Sequence, residues 1–129
     1  MPSPSKKITY SSPLLLHAKF TAERSVVLRL LFDTGATTTM IPMKAALAIG
    51  CDPSISTERI SIVTASAVEY APIICLSSVT CLGRQINDLK VICHDLPPQS
   101  SVDGLLGMDI IGHLPSFQKF RDSISRFLL

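Results

Sequence analysis

The chain has 129 residues, which is enough to bury one hydrophobic core and too few for two independent domains. Hydrophobic residues make up 47% of it and charged residues 17%, so the chain is more apolar than an average soluble domain. Its net charge of +2 comes from Lys and Arg residues that are scattered rather than gathered in a basic stripe, which argues against a nucleic-acid partner.

The N-terminal part of the chain predicts a tail followed by a strand. Residues 1–12 include "MPSPSKK" and have neither the apolar length nor the cleavage pattern of a secretory signal, so we expect a flexible tail, with the domain covering residues 13–129. The run "VVLRLLF" is apolar and rich in β-branched residues, which predicts a strand covered on both faces. Arg29 interrupts this run, and no run in the chain predicts a membrane span.

A tight turn and a short helix follow this strand. The run "ATTTMI" predicts a second buried strand, so Asp33, Thr34 and Gly35 form a turn between two strands. In "PMKAALAIG", Pro42 suits a first helical position, good helix formers occupy the middle, and Gly50 suits a left-handed cap. One short helix is therefore predicted.

The second half of the chain predicts more strands. From Glu58 onward, β-rich runs break near Ala65-Ser66, at Pro72 and at Gly83-Arg84, a spacing that favours two successive hairpins. The segment "SVDGLLGMDIIGHL" predicts a strand end bounded by Gly and then a short helix, and "ISRFLL" predicts a terminal strand. The predicted fold class is all-β with one or two short helices.

The cysteines and histidines favour neither a metal site nor a thiol enzyme. No CxxC pair or dense disulfide pattern occurs, so we expect reduced, buried thiols in a cytosolic protein. Cys93 and His94 are neighbours in an extended segment and point to opposite faces, so we interpret His94 as structural. We expect no metal and no cofactor; the residues considered are Cys51, Cys75, Cys81, Cys93, His17, His94 and His113.

Asp33 is the residue whose position most needs an explanation. An acid at the end of a buried strand loses solvation, which must be compensated by partners or used chemically. An Asp before Thr-Gly often only closes a turn by accepting backbone N–H groups, and an isolated "DTG" favours that structural interpretation. The tripeptide alone therefore leaves both interpretations open.

The order of motifs resembles that of the retropepsin-like aspartic proteases. An apolar strand is followed by "DTGA", a β-branched run, a helix ending in Gly, a long hairpin and, much later, "DGLLG". The resemblance implies a retropepsin-like acid protease barrel with half of an active site in each chain. It implies that Asp33 is catalytic, that Thr34, Gly35 and Ala36 support the catalytic loop, and that Leu105, Leu106 and Gly107 pack behind it.

The hairpin around Ile62 to Tyr70 takes the place of the flap that closes over bound peptide in this family. The resemblance makes its tip a candidate for substrate binding, although many relatives have Gly there and this chain has "TASAVEY". The tip residues are Thr64, Ala65, Ser66 and Ala67. Two further acids, Asp103 and Asp109, flank the second motif, and we expect them to be turn and helix-start residues rather than catalytic ones.

The chemistry of this family requires a partner for Asp33. Carboxylates hydrolyse a peptide bond only if one is ionised to accept a proton from water and the other is protonated to donate one. Because the chain has one Asp-Thr-Gly, the second Asp33 must come from another copy in a homodimer, for which "SRFLL" offers apolar material. The predicted activity is aspartic endopeptidase cleavage of a peptide or protein substrate. The alternative is a catalytically inactive peptide-binding or dimerisation module with the same fold.

Overall fold

The computed structural model describes residues 14–115 and 117 of the chain. Within them the protein is mostly β, with two short α-helices and one turn of 3₁₀ helix at Pro53–Ile55. In chain order the elements are β1 (Leu15–Thr21), β2 (Ser25–Phe32), β3 (Met40–Ile41), α1 (Met43–Ala48), β4 (Arg59–Val63), β5 (Val68–Cys81), β6 (Arg84–Cys93), β7 (Gly104–Leu106) and α2 (Met108–Ile111).

Six of the strands close into a barrel. They pair in the order β1-β2-β7-β3-β6-β5, and β1 also pairs with β5, which joins the two ends of the sheet. Among the described strands, β4 pairs only with β5, at the outer edge. Closure removes the sheet edges of these six strands, so their backbone groups are satisfied inside the barrel. The predicted all-β class with short helices and the predicted barrel are confirmed.

The two N-terminal strands place one face in the core and one in solvent. In β2, Leu28 and Leu30 are buried, whereas Val27 is 61% exposed and Arg29 is also exposed. This alternation has the two-residue period of a strand with one solvated face. The prediction that β2 is covered on both faces was therefore wrong; its apolar outer residue Val27 hid the alternation in the sequence.

The hydrophobic core is continuous and lies inside the barrel and under the helices. Phe20 of β1, Leu30 of β2 and Leu106 of β7 are fully buried. Strand β2, which leads into the Asp33 turn, and its neighbour in the sheet, β7, therefore share one core. Other fully buried side chains are Ile41, Ile49, Val79, Val91, Ile110 and Ile111. Packing of this kind fixes the position of both motifs.

Both predicted hairpins are present. Strand β4 pairs with β5 and β5 pairs with β6, with turns at residues 64–67 and at Leu82-Gly83. The predicted break at Pro72 was wrong, since β5 continues through it. Pro72 pairs with Arg59 of β4, and the next residue, Ile73, pairs with β6, so Pro72 lies where β5 exchanges one partner strand for another. A residue without an N–H group is tolerated at such a position.

The segment after the turn is less regular than predicted. Of the run "ATTTMI", only Met40–Ile41 forms a strand. The Thr39 N–H donates to the Asp109 carboxylate and the Thr37 carbonyl accepts from the Asp109 N–H, so these backbone groups do not join a strand ladder. Helix α1 begins at Met43, with Pro42 as the residue that precedes it, one position later than predicted. Gly50 follows the helix with φ of +94°, as the sequence predicted.

Two predictions fall outside the described residues. The predicted tail at residues 1–12 and the predicted strand in "ISRFLL" lie beyond the ranges 14–115 and 117. Among the helices that the structure describes, none is long and apolar enough to cross a membrane.

Candidate active site

Asp33 lies at the end of β2, in a turn that fixes its carboxylate. Its backbone N–H donates to the carbonyl of Leu106, 3.0 Å away, and its own carbonyl accepts from the N–H of Ala36 at 3.1 Å. The N–H of Gly35 donates to Asp33 Oδ1 at 2.9 Å. Within the part of the chain that the structure describes, Oδ2 accepts no hydrogen bond. One carboxylate oxygen is therefore held by the turn and the other is left for another partner.

The second motif lies directly beside this turn. Strand β7 pairs in parallel with β2, with Leu31 opposite Leu105 and Phe32 opposite Leu106. Leu106 is fully buried and Leu105 is half-buried. The structure therefore brings the "DTGA" and "LLG" motifs together, although they are far apart in the sequence.

Gly107 makes the close approach between the two motifs possible. A Cβ built at Gly107 would lie 2.7 Å from the carbonyl carbon of Thr38 and 2.9 Å from the nitrogen of Thr39. These are backbone atoms, so no side-chain movement could relieve the overlap. Gly107 is thus a packing requirement at the point where α2 begins.

A cluster of hydrogen bonds behind the turn was not predicted from the sequence. Thr39 is fully buried, and its N–H donates to both carboxylate oxygens of Asp109, at 3.1 and 3.0 Å. Its hydroxyl donates to Asp109 Oδ1 at 2.7 Å and accepts from the N–H of Gly107 at 3.0 Å. Asp109 does lie in the first turn of α2, as expected, but its carboxylate binds Thr39. The signal available in the sequence was a Thr within the β-branched run "ATTTMI", and its burial became visible only in the structure.

Asp103 has a turn role, as expected. Its N–H donates to the carbonyl of Arg29 at 2.8 Å, and its carboxylate accepts from the N–H of Arg29 at 2.9 Å. Both bonds tie the segment that leads into β7 to the middle of β2. Asp103 is therefore occupied by backbone contacts within the barrel.

The candidate flap is the hairpin of β4 and β5, and its tip is closed by its own polar groups. The N–H of Thr64 donates to the carbonyl of Ala67 at 2.8 Å, and the Thr64 hydroxyl donates to the same carbonyl at 2.9 Å and accepts from the Ala67 N–H at 3.1 Å. Ala65 and Ser66 between them are exposed. A Thr side chain therefore stabilises a tip that lacks Gly.

Apolar side chains on the flap are exposed in the single chain. Val63 is 80% exposed, Val68 56% and Tyr70 70%. Glu69 lies one residue pair from the tip of this hairpin, and its Oε1 is 2.8 Å from His94 Nε2, which connects the flap to the end of β6. His94 thus has a structural contact, as predicted.

An apolar groove of about 280 Å³ adjoins the Asp33 turn. Thr34 forms part of its wall, together with apolar side chains from both ends of the described chain. Leu14 and Leu82 in this wall are more than half exposed. The other lining residues are Leu16, Phe32, Leu114 and Phe117.

The cysteines are free, and the buried thiols of Cys81 and Cys93 are poorly suited to nucleophilic chemistry. All four cysteines are unpaired with one another, as predicted. The expectation that they are all buried was wrong, since Cys51 is only half-buried and Cys75 is exposed. Cys75 alternates with the buried Ile74 and Leu76 along β5 and therefore faces outward. Burial raises the pKa of Cys93 to about 12, with a smaller contribution from Asp95, and burial also raises the pKa of Cys81. A thiol with a raised pKa is a poor nucleophile at neutral pH. Among the described residues, no group of His, Cys, Asp or Glu side chains is arranged to hold a metal ion.

Comparison with known proteins agrees with this geometry. A family model described as "Aspartyl protease" matches residues 19–110. A retropepsin-like aspartic protease from Rickettsia conorii is structurally similar, with a TM-score of 0.62 and 20% identity over 82% of this chain and 75% of that one. The EIAV protease, in complex with the inhibitor HBY-793, has a TM-score of 0.57 and 17% identity over 78% of this chain and 86% of that one. No curated protein gives a significant sequence match.

Proposed function

The chain belongs to the aspartyl protease family and has the retropepsin-like fold, and we propose that it is an endopeptidase whose active site forms between two copies of the chain. One observation carries the proposal. Asp33 stands at the meeting point of the two family motifs, with its backbone bonded to Leu106 and one carboxylate oxygen bonded to the N–H of Gly35.

A single Asp33 cannot perform the reaction alone. One carboxylate must accept a proton from water while another donates a proton to the substrate carbonyl oxygen, and two close carboxylates that share one proton supply both states. Each chain contributes one Asp-Thr-Gly turn. A homodimer with two-fold symmetry sets Asp33 of one chain against Asp33 of the other.

The groove beside the turn supports this dimer. Its wall combines Thr34 with mainly apolar side chains, including the exposed Leu14 and Leu82. Exposed apolar surface next to a site that needs a second copy is suited to bury against that copy. The exposed flap residues Val63, Val68 and Tyr70 are likewise suited to cover an extended peptide.

In the proposed mechanism, water lies between the two Asp33 carboxylates. The ionised carboxylate removes a proton as the water oxygen attacks the scissile carbonyl carbon, and the protonated one donates to the carbonyl oxygen. Breakdown of the tetrahedral intermediate returns a proton to the leaving nitrogen. The bond between Gly35 N–H and Asp33 Oδ1 holds the carboxylate in place throughout, which reduces the cost of reorganisation.

The experiment compares the wild type with Asp33→Asn. Both proteins are incubated with a synthetic library of peptides and the products are identified by mass spectrometry. Asp33→Asn keeps the side-chain shape but removes the ionisable group, so cleavage should disappear while circular dichroism stays unchanged. Asp88→Asn is the matched control, because Asp88 is exposed on β6 and away from the turn.

Mixing the two proteins tests the shared site. Excess Asp33→Asn should lower cleavage per wild-type chain, since mixed dimers hold only one ionisable Asp33. Unchanged activity in a mixture that native mass spectrometry shows to contain mixed dimers would refute the shared site. A wild type that binds library peptides and cleaves none would instead establish the inactive binding module.

A further inference from the structure

We propose that Asp109 and Thr39 are positioning residues that hold the Asp33 turn in its reactive geometry. This inference rests on the proposed function, because it concerns the same site. It assigns a role to an acid that is not itself placed to touch substrate, and to the buried polar residue Thr39.

The contacts join the segment that follows the Asp33 turn, which contains Thr39, to helix α2, which contains Asp109. Thr39 offers two donors, its N–H and its hydroxyl, and Asp109 accepts both. The Thr39 hydroxyl also accepts from the N–H of Gly107. The Thr39 hydroxyl therefore acts both as a hydrogen-bond donor and as a hydrogen-bond acceptor.

Two backbone bonds carry this cluster to the turn. The N–H of Met108 donates to the carbonyl of Ala36 at 2.8 Å, and the N–H of Asp109 donates to the carbonyl of Thr37 at 3.3 Å. Ala36 in turn donates to the carbonyl of Asp33. The path from Asp109 to Asp33 therefore consists of consecutive hydrogen bonds within a few residues.

Burial makes these groups hard to replace. Thr39 is fully buried, so water cannot take over a bond that its hydroxyl loses. Removing one partner of a buried hydrogen bond leaves the other unsatisfied, which is more costly than loss of the bond itself. Asp109 is suited to the role because both oxygens of a carboxylate can accept hydrogen bonds from Thr39. An amide in its place would replace one of these oxygens by an NH₂ group, which cannot accept a hydrogen bond from Thr39.

The key variants are Thr39→Val, which removes the hydroxyl and keeps the shape, and Thr39→Ser, which keeps the hydroxyl and removes a methyl group. Thr39→Val should lower kcat about 10- to 100-fold with KM nearly unchanged, since a small displacement of a reacting group has effects of this order. Thr39→Ser should restore most of kcat. Thr80→Val on β5 is the control for removing a Thr hydroxyl elsewhere.

A second measurement is independent of activity. Amide hydrogen exchange should become at least several-fold faster at Gly35 and Ala36 in Thr39→Val, while Val91 in β6 stays unchanged, because the effect is local to the turn. If Thr39→Val does not fold, Asp109→Asn serves in the same comparison, and it should likewise accelerate exchange at Gly35 and Ala36.

The outcomes separate this inference from the proposed function. Unchanged exchange at Gly35 and Ala36 in a folded Thr39→Val or Asp109→Asn would overturn the positioning role, whether or not the wild type cleaves peptides. A fall in kcat that Thr39→Ser does not relieve would also overturn it. An inactive wild type with accelerated exchange in the variants would refute only the protease activity.

Discussion

Replacement of Gly107 by Ala is expected to lower the stability of the barrel and to displace the Asp33 turn. The added Cβ would stand 2.7 Å from the carbonyl carbon of Thr38 and 2.9 Å from its oxygen and from the nitrogen of Thr39. Carbon atoms pack at about 3.5–4.0 Å, so the two segments must separate by about 1 Å.

The surrounding hydrogen bonds resist that separation. Thr39 is bonded to Asp109 on one side, and its carbonyl accepts from the N–H of Ile92 in β6 at 2.9 Å on the other. The cost of overpacking in a well-packed interior is about 1–3 kcal/mol. For a chain of this length, that loss lowers Tm by several degrees, about 3 °C or more for each kcal/mol.

Thermal and urea unfolding of the wild type and Gly107→Ala, at one protein concentration, measure the effect. Gly83→Ala is the control, because a Cβ there meets no atom within 4 Å. Because Gly83 has a φ of +77°, Gly83→Ala should lower the free energy of unfolding by about 1 kcal/mol through backbone strain alone. This control should keep its cleavage activity. A Gly107→Ala protein with wild-type Tm and wild-type activity would refute the role assigned to the close approach.

Two further predictions concern assembly and pH. Activity per mole should fall when the protein is diluted through its dimer dissociation constant, because monomers hold half a site; constant specific activity at concentrations where sedimentation shows only monomer would contradict the dimeric mechanism. Folding raises the pKa of Cys93 from 9.0 to about 12, so between these pH values the thiol loses its proton in the unfolded chain but keeps it in the folded one. The free energy of unfolding should therefore fall as the pH rises from 9 to 12, by at most about 1.4 kcal/mol per pH unit. Urea midpoints at pH 8 and pH 10 should show a smaller fall in Cys93→Val than in the wild type, and equal falls would show that this thiol does not contribute.

Local signals in the sequence were sufficient for several elements. The helix at Met43–Ala48, the left-handed Gly50 and the turn at Gly35 follow from residues that act on their own neighbourhood. The two hairpins follow from β-rich runs separated by turn residues, and their pairing needs only adjacent segments. The placement of Asp33 at the end of a strand was predicted for the same reason.

Features that depend on distant segments were decided by the tertiary structure. The run "ATTTMI" has high β-propensity, but Thr37 and Thr39 bond to Asp109, and only Met40–Ile41 forms a strand. Pro72 breaks a strand in most contexts, yet here it lies where β5 changes partner, which only the sheet order reveals.

The candidate site shows the same division. The sequence by itself was sufficient to predict the turn at Asp33, Thr34 and Gly35, because the chemistry of a turn depends on the residues that form it. Only the tertiary structure decided that Leu106 bonds to Asp33 and that Thr39 bonds to Asp109. Such contacts form when the barrel closes and brings distant backbone groups within hydrogen-bonding distance, and no periodicity within either segment encodes the partner that it will meet.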